Sequence, residues 1–300
     1  MAHGVKKVGS PKKPAVSYWS KDTCRCPVCK KEFQREEMLS GNGRMIAGPL
    51  TDELHRIYEP SARFGKVYPL IYAVGACPNC HTALLWNDFE ELSDNDSIDR
   101  ISVSRQDRMK KVNTVFPYYS LTRERTLLDS AAMYYLAILT YEKSNLELLP
   151  TIKRAILSLR LAWLCLDLDE ACPGHNYKYV SDVFYRKAVF FYQQAVINET
   201  ARVERSSNMN NFGPDIDKNY GWDGVVYLCA LLEYKYGQRE DHELRLKKLE
   251  EMKTSIARIF GFGKSTKAKP GPLLEHSRTL YDNLSAEIED GRNFAPGGVV

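Results

Sequence analysis

Two cysteine pairs of identical pattern constrain this 300-residue chain more than any other feature. Cys26 and Cys29 form the first C-P-x-C pair, and Cys77 and Cys80 form the second. Four thiolates in two such pairs can surround one Zn²⁺ tetrahedrally, at about 2.3 Å per Zn–S bond. The two-residue gap lets the backbone turn over the metal as a knuckle, with N–H groups directed at the sulfurs. The sequence therefore predicts a structural zinc site built on these four cysteines.

The spacing of the pairs predicts a segment inserted between the knuckles. The 47 residues between Cys29 and Cys77 exceed the separation of about 15–20 residues that is usual for a zinc ribbon. Cys24 gives the first pair the form Cys-x-Cys-x-x-Cys, so it is an alternative to Cys26 as a ligand. We favour Cys26 because it completes the proline-containing turn that the second pair repeats.

The residues after each pair bear on the knuckle geometry. Many knuckles have glycine there, because the chain needs a positive φ. This chain has Lys30 and His81 in those places. Histidine is enriched at left-handed positions, so His81 suits the turn better than Lys30 does. His81 is also an alternative metal ligand.

Two other uses of paired cysteines are disfavoured by the sequence. Disulfides belong to oxidising compartments, but the first twenty residues contain no apolar signal region. A thioredoxin-like dithiol needs a single CxxC that opens a helix inside a βαβ unit, and neither pair lies in one. No run of about 18 apolar residues predicts a membrane span. We therefore expect a reduced, cytoplasmic protein.

The charge of the chain is concentrated at its N-terminus. The net charge is only +4, but residues 1–35 carry nine Lys or Arg against two acidic residues, a balance of +7. The first seventeen residues are rich in Lys, Gly, Ser and Pro, which is typical of a disordered tail. Such a tail is either a solvated terminus or a contact for nucleic acid or an acidic partner.

The pattern along the chain predicts an α+β protein that is mostly α. A small zinc-ribbon-like N-terminal module is followed by an α-helical, tetratricopeptide-like domain. The expected segments are a disordered basic tail at 1–19, the zinc-knuckle module at 20–92, a linker or helix at 93–120, a helical repeat-like domain at 121–262, and a linker, short helix and flexible tail at 263–300.

Local patterns predict the structure around the knuckles. A Gly/Asn turn within residues 38–47 indicates a short hairpin, and residues 51–58 are compatible with one helical turn. Residues 67–74 are rich in β-branched and aromatic side chains, which favours a strand leading into the second knuckle.

Five helices are predicted from apolar residues at i, i+3 and i+4 spacing. They cover residues 127–141, about 152–168, 180–196, about 222–236 and about 249–259, and a last helix is expected near 273–289. The second helix is apolar on two faces, so we expect it to lie between neighbours. Aromatic and alanine positions resemble tetratricopeptide hairpins in architecture, although the strict 34-residue period is missing.

Other residues with reactive side chains give no catalytic pattern. Cys172-Pro173-Gly174-His175 indicates a turn between helices, and Cys165 and Cys229 fall on apolar helical faces. His55, His242 and His276 stand on separate segments without ligand spacing. The sequence has no GxGxxG, GxxxxGK[ST], HExxH or GxSxG motif. No sequence motif therefore supports an enzymatic function, although an active site can also be assembled from residues distant in sequence.

The ordered combination of motifs resembles a known bacterial family. CPVCKKEF, Thr51-Asp52, a run ending YPLIYAVGACPNC, and the helical stretches MYYLAILTYE and LRLAWLCLDL are similar to the domain of unknown function 2225 over roughly residues 20–240. The resemblance implies a bacterial cytoplasmic protein with zinc-knuckle cysteines and tetratricopeptide-like helices, and it supplies no activity. It supports Cys26, Cys29, Cys77 and Cys80 as ligands.

These patterns together predict a non-enzymatic, zinc-containing scaffold that binds protein partners through its helical part. A nucleic-acid-binding regulator that uses the zinc module and the basic tail is the alternative. An enzyme with a site between the two domains is a third hypothesis. The helices carry more aromatic residues than two layers bury easily, so some are expected to line an exposed groove. These residues are Tyr134, Tyr135, Trp163, Tyr179, Tyr185, Phe190 and Tyr192.

Overall fold

The computed structural model describes residues 14–205, 209–261 and 269–293. Short strands come first and helices follow. The strands are β1 (Ser17–Arg25), β2 (Glu32–Met38), β3 (Ile46–Leu50), β4 (Arg56–Glu59), β5 (Val74–Ala76) and β6 (Ala83–Leu85). The helices are α1 (Asp88–Glu91), α2 (Asn95–Val103), α3 (Arg105–Val115), α4 (Leu127–Tyr141), α5 (Pro150–Ala171), α6 (Tyr177–Thr200), α7 (Gly221–Tyr236), α8 (His242–Phe260) and α9 (Gly271–Asn293). The basic tail predicted at 1–19 lies mostly outside the described residues.

The six strands form three antiparallel pairs: β1 with β2, β3 with β4, and β5 with β6. Each cysteine pair lies in the turn of one of these hairpins. The first pair follows β1 and precedes β2, and the second follows β5 and precedes β6. A strand therefore leads into each cysteine turn, as the sequence predicts. The pair β3–β4 lies in the segment between the two cysteine hairpins.

The predicted structure of residues 38–58 is wrong in its pairing. β2 and β3 do not form a hairpin with each other. β2 pairs with the preceding strand, β1, and β3 pairs with the following strand, β4. Residues 51–58 form a turn followed by β4 instead of a helical turn. Thr51 N–H donates to the His55 carbonyl at 2.9 Å and closes that turn.

The predicted strand at 67–74 is mostly a 3-10 helix, Pro69–Tyr72, and only the short β5 follows it. Pro69 has no N–H to give to a sheet. The carbonyls of Leu70 and Ile71 are taken by α4, since Tyr134 Oη donates to Leu70 at 2.9 Å and Ser130 Oγ donates to Ile71 at 3.2 Å. Side chains of a helix thus take the place of a neighbouring strand.

The five predicted helices are confirmed as α4 to α8, and the expected last helix is α9. α5 is buried around most of its circumference and packs against α4 and α6, as its two apolar faces predict. Residues 172–176 form the predicted turn between α5 and α6. The tetratricopeptide-like arrangement of these helices stays a prediction.

α4 joins the strands to the helices. It contacts β5 and β6 as well as α5, and twelve of its fifteen residues are buried. Thr126 and Asp129 cap its first turn by exchanging hydrogen bonds, which fixes where it starts. The buried apolar side chains form one continuous core from Cys26 to Ile288. In the described ranges, no helix is long and apolar enough to cross a membrane.

Candidate metal centre

The first cysteine turn is held by two backbone hydrogen bonds. Cys26 N–H donates to the Lys31 carbonyl at 2.9 Å, and Lys30 N–H donates to the Cys26 carbonyl at 2.9 Å. Lys30 has a φ of 60°, in the left-handed region. This conformation brings the chain back into β2 after Cys29. A lysine therefore occupies the backbone conformation for which glycine is preferred.

The second cysteine turn repeats this geometry. Cys77 N–H donates to the Thr82 carbonyl at 2.8 Å, and His81 N–H donates to the Cys77 carbonyl at 2.9 Å. His81 has a φ of 59°, matching Lys30 in the first turn. The two turns thus share one backbone geometry, and Cys77 and Cys80 occupy the same places in the second turn as Cys26 and Cys29 do in the first.

The two turns bring together the four cysteines that the sequence singled out. Their four sulfur atoms all lie within 4.8 Å of one another. Cys26 Sγ is 3.5 Å from Cys80 Sγ, and Cys29 Sγ is 3.5 Å from Cys77 Sγ. A tetrahedral Zn–S₄ site with bonds of about 2.3 Å needs sulfurs about 3.8 Å apart, so this spacing fits such a metal. The four cysteines could therefore hold one metal ion.

Hydrogen bonds among the sulfurs favour a thiolate at Cys80 and raise the pKa of the Cys26 and Cys77 thiols that surround it. The pKa of the Cys80 thiol is lowered because Cys26 and Cys77 donate to its sulfur. Thr82 Oγ1 lies 3.1 Å from the same sulfur and can donate to it. Thiolates are the form that binds metals.

A buried arginine lies behind the second turn, and the sequence analysis missed it. Arg108 on α3 is 1% exposed and reaches the Cys80 carbonyl with Nη2 at 3.4 Å. Its Nη1 donates to the Ile101 carbonyl and to Ser104 Oγ. Burial lowers the pKa of Arg108, and the negative charge of Cys80 opposes that change. The guanidinium offsets part of the negative charge that four thiolates would carry.

The alternative ligands lie outside the group of four. Cys24 is half-buried in β1, opposite Phe33 of β2. His81 points its ring at Tyr119, with the centroids 6.3 Å apart, and its Nδ1 is buried without a hydrogen-bond partner. Neither side chain joins the cysteine cluster, so the geometry favours Cys26 over Cys24 and the four sulfurs over His81.

The remaining cysteines are scattered over the helices. Cys165 and Cys229 are buried, and burial raises the pKa of Cys229 to about 12. Cys172 is exposed in the turn between α5 and α6. In the part of the chain that the structure describes, the four cysteines of the two turns form the one group of this kind that could hold a metal.

The segment between the turns is fixed to the helices by Glu53, which the sequence analysis did not single out. Its Oε2 accepts from Trp163 Nε1 at 2.6 Å and from Tyr185 Oη at 2.9 Å. Its Oε1 accepts from Lys235 Nζ at 3.1 Å and from Tyr236 Oη at 3.2 Å. Glu53 is buried, so these bonds from α5, α6 and α7 replace the water that it loses.

His55 makes a second anchor for the same segment. Its Nδ1 lies 2.5 Å from Asp215 Oδ2, and its ring stacks on Trp163 with centroids 4.1 Å apart. Burial would raise the pKa of Asp215, but hydrogen bonds from His55 and from the N–H groups of Arg56 and Ile216 outweigh it, so the pKa is lowered. The pair lines a small cavity of about 60 Å³.

The aromatic residues of the helices divide into a buried and an exposed set. Of the seven that the sequence singled out, Tyr134, Trp163, Tyr185 and Tyr192 lie in the core, and Tyr135 is partly buried against it. Tyr179 is 69% exposed and Phe190 is 58% exposed, both on α6. Part of the predicted surplus of aromatics therefore does reach the surface.

Comparison with known proteins is consistent with this arrangement of motifs. The chain matches the model of a family described as uncharacterized proteins conserved in bacteria, the domain of unknown function 2225, over residues 19–284. An uncharacterized protein of Borreliella burgdorferi is 38% identical over 276 residues, which are 92% of this chain and 98% of that protein. No solved structure matches the chain. The family match spans nearly the whole chain and the relative matches over almost its full length, so this chain belongs to the bacterial family of domain of unknown function 2225.

Proposed function

We propose that this protein is a cytoplasmic, non-enzymatic interaction protein whose N-terminal module is held together by one structural Zn²⁺. The closed cluster of four cysteine sulfurs carries the metal part of the proposal. Four sulfur donors complete a tetrahedral shell and leave no open position for a substrate or water, as in structural zinc sites. Three of the four cysteines are buried, which further shields the metal.

The exposed side of α6 supports the interaction part of the proposal. Tyr179, Phe190 and Ile197 are each more than half exposed there, although comparable side chains on the other side of the helix are in the core. Aromatic side chains left on a surface tend to mark interaction sites. The helical part would thus bind a protein while the zinc module stabilises the fold.

Two other functions remain as competing hypotheses with one supporting observation each. The excess of basic residues in residues 1–35 favours nucleic acid, and such binding would weaken steeply with salt. The cavity beside His55 and Asp215, where the inserted segment meets α5, favours an enzyme with a site between the two parts.

Metal analysis of full-length protein purified without added zinc tests the first part. We expect about one zinc per chain, and loss of that zinc in Cys26→Ser and Cys77→Ser. Cys24→Ala and Cys172→Ser are matched controls that should keep it. Protein without metal that retains an ordered N-terminal module would contradict the proposal.

Affinity purification of the full chain from its native cell tests the second part. Partners should be lost with Phe190→Asp and retained with Lys110→Glu, an exposed substitution on α3. Nuclease treatment separates the alternatives, because partners held through nucleic acid would disappear in both variants. That result would favour the nucleic-acid-binding regulator instead.

A further inference from the structure

The exposed side of α6 carries a regular seam of six residues. Their spacing is four, three, four, three and four residues, the a/d spacing of a helix that packs along a second helix. At 1.5 Å per residue the seam is about 27 Å long, enough to contact five turns of a partner helix. The seam consists of Tyr179, Val183, Arg186, Phe190, Gln193 and Ile197.

The seam is bordered by two open grooves. One groove, of about 440 Å³, is lined by Val183, Arg186, Phe190 and neighbouring residues of α6. The other, of about 710 Å³, lies between α6 and the turn that joins α7 to α8. Arg186 and Phe190 line both grooves, so they form the ridge between them. Side chains of a docked helix would insert on either side of this ridge.

Most of the acidic residues around the ridge are paired with cationic side chains. Asp182 is paired with Lys178 at 2.8 Å. Glu233 is buried, accepts from Gln193 Nε2 at 2.5 Å, and lies within 4 Å of two cationic side chains of α8. Glu240 alone stays without a cationic side chain in ion-pair range among the described residues.

Three basic residues around the ridge lack an acidic partner within the ranges that the structure describes. Arg186, Lys187 and Arg239 have no carboxylate within ion-pair distance in the described part of the chain. Arg186 and Lys187 are exposed on α6, and Arg239 lines the larger groove from the turn after α7. The centre of the seam therefore carries the positive charge of Arg186, with Lys187 beside it, and neither has a carboxylate in ion-pair range among the described residues.

We propose that the α6 seam binds an acidic amphipathic helix of a partner protein. This inference rests on the proposed interaction function and specifies the chemistry of the partner. Apolar side chains of the partner would cover Tyr179, Phe190 and Ile197, and its carboxylates would pair with Arg186 and Lys187. Opposite charges flanking an apolar seam set the choice of partner in paired helices.

A second copy of this chain fits the seam less well. Two antiparallel copies of α6 centred at Ala188 would superimpose the seam on itself, with Arg186 of one copy over Phe190 of the other. The same pairing would bring the two Lys187 side chains close together near the symmetry axis. Like charges in that position are unfavourable, so charge complementarity selects an acidic partner.

A pair of synthetic peptides tests this directly with the full-length, metal-loaded protein. Both are labelled 21-residue helices with leucine at the a and d positions; one has glutamate at the flanking e and g positions, and the other has lysine. Fluorescence anisotropy should show the acidic peptide binding at least about tenfold tighter than the basic one. Binding should weaken as salt is raised.

Charge reversal supplies the sharpest control. The double variant Arg186→Glu, Lys187→Glu should invert the preference, so that the basic peptide binds tighter. Phe190→Ala should weaken the acidic peptide by about tenfold, and Lys110→Glu on α3 should leave both affinities unchanged. Circular dichroism of each variant checks that the helices remain folded.

Three results would overturn the inference. They are no binding of the acidic peptide, binding that ignores the charge reversal, and a concentration-dependent dimer in sedimentation that Phe190→Asp dissociates. If native partners depend on Phe190 while the acidic peptide never binds, the interaction function survives and only this choice of partner fails.

Discussion

The cysteine turns and the segment between them are held by opposite kinds of contact. Each turn closes on itself, with backbone hydrogen bonds between residues four or five positions apart, such as Cys26 with Lys30 and Lys31. The inserted segment is held by partners more than 100 positions away, such as Trp163 for Glu53 and Asp215 for His55. The turns can therefore form from local sequence alone, whereas the segment needs the assembled helices.

This difference explains why the cysteine turns suit a metal site, whereas the segment between them is fixed by contacts with the helices. A metal site needs donor atoms placed accurately, and short turns provide that at low cost in chain entropy. Burying Glu53 needs four donors at once, and three helices supply them. The inserted segment thus ties the cysteine hairpins to the helical part of the protein.

The largest effect is expected from a substitution in the cysteine turns. Cys77→Ser should remove the metal and unfold the two cysteine hairpins, because metal binding to such sites contributes on the order of 10 kcal/mol at neutral pH. Hydrogen exchange should show lost protection in the two cysteine hairpins, β1–β2 and β5–β6, and retained protection in α5 to α7. Cys172→Ser, which changes an exposed cysteine, should leave both regions protected.

The next largest effect is expected from removing the buried carboxylate of Glu53 in the segment between the cysteine turns. Glu53→Ala removes the carboxylate that accepts from Trp163, Tyr185 and Tyr236, while Lys235 keeps Asp52, and should lower the free energy of unfolding by about 3–5 kcal/mol. Asp52→Ala is the matched control, since Asp52 is half exposed and its pair with Lys235 should contribute at most about 1 kcal/mol. Urea unfolding with saturating zinc measures both. Equal losses would show that the anchor is not at Glu53.

The pair of His55 and Asp215 sharpens the comparison through pH. Because the pKa of Asp215 is lowered in the fold, its stabilisation is complete above the unfolded pKa of about 3.9 and is lost as the pH falls through the folded value. Asp215→Asn should therefore cost about 1–3 kcal/mol at pH 7. The difference between variant and wild type should shrink below about pH 4.

Urea unfolding of the two proteins between pH 7 and pH 3 measures this difference. Protonation of the cysteine thiolates affects both proteins alike, so it cancels in the comparison. A difference that stays constant over the whole range would show that the Asp215 charge adds nothing to the anchor.

The smallest effect is expected at Lys30, in the first cysteine turn. Lys30→Gly should stabilise the metal-bound protein by about 1 kcal/mol, because a non-glycine residue in the left-handed conformation costs roughly 1–2 kcal/mol. Lys31→Gly is the matched control; its φ is not positive, so added chain freedom should destabilise by about 0.5–1 kcal/mol. Thermal unfolding compares the two. Equal signs for both lysines would contradict the strained turn.

The sequence predicted the parts of the fold that depend on short-range patterns. The C-P-x-C spacing singled out the four cysteines that lie together, and apolar periodicity located α4 to α8. Residues 67–74 misled because their β-forming side chains pack on α4, whose Tyr134 and Ser130 take the carbonyls that a strand would need.

The rest of the site could not be predicted from one sequence. Glu53 and His55 look like ordinary polar residues in a loop, and nothing near them indicates Trp163 or Asp215. Arg108 falls on a helix of charged residues, where an exposed position is the usual expectation. These contacts arise only when distant elements pack, so their signal is not local.

The separation of the two kinds of contact sets an order for assembly during synthesis. All four cysteines have left the ribosome once residue 80 and a short tether have emerged, so a nascent chain already carries every ligand of the proposed metal site. The hydrogen-bond donors to Glu53 are complete only when Tyr236 has been made. Until then the 47 residues between Cys29 and Cys77 form a loop, and the proposed metal would hold its two ends together. We expect this loop to dock last, once the helices that follow it in the chain have been made and have folded.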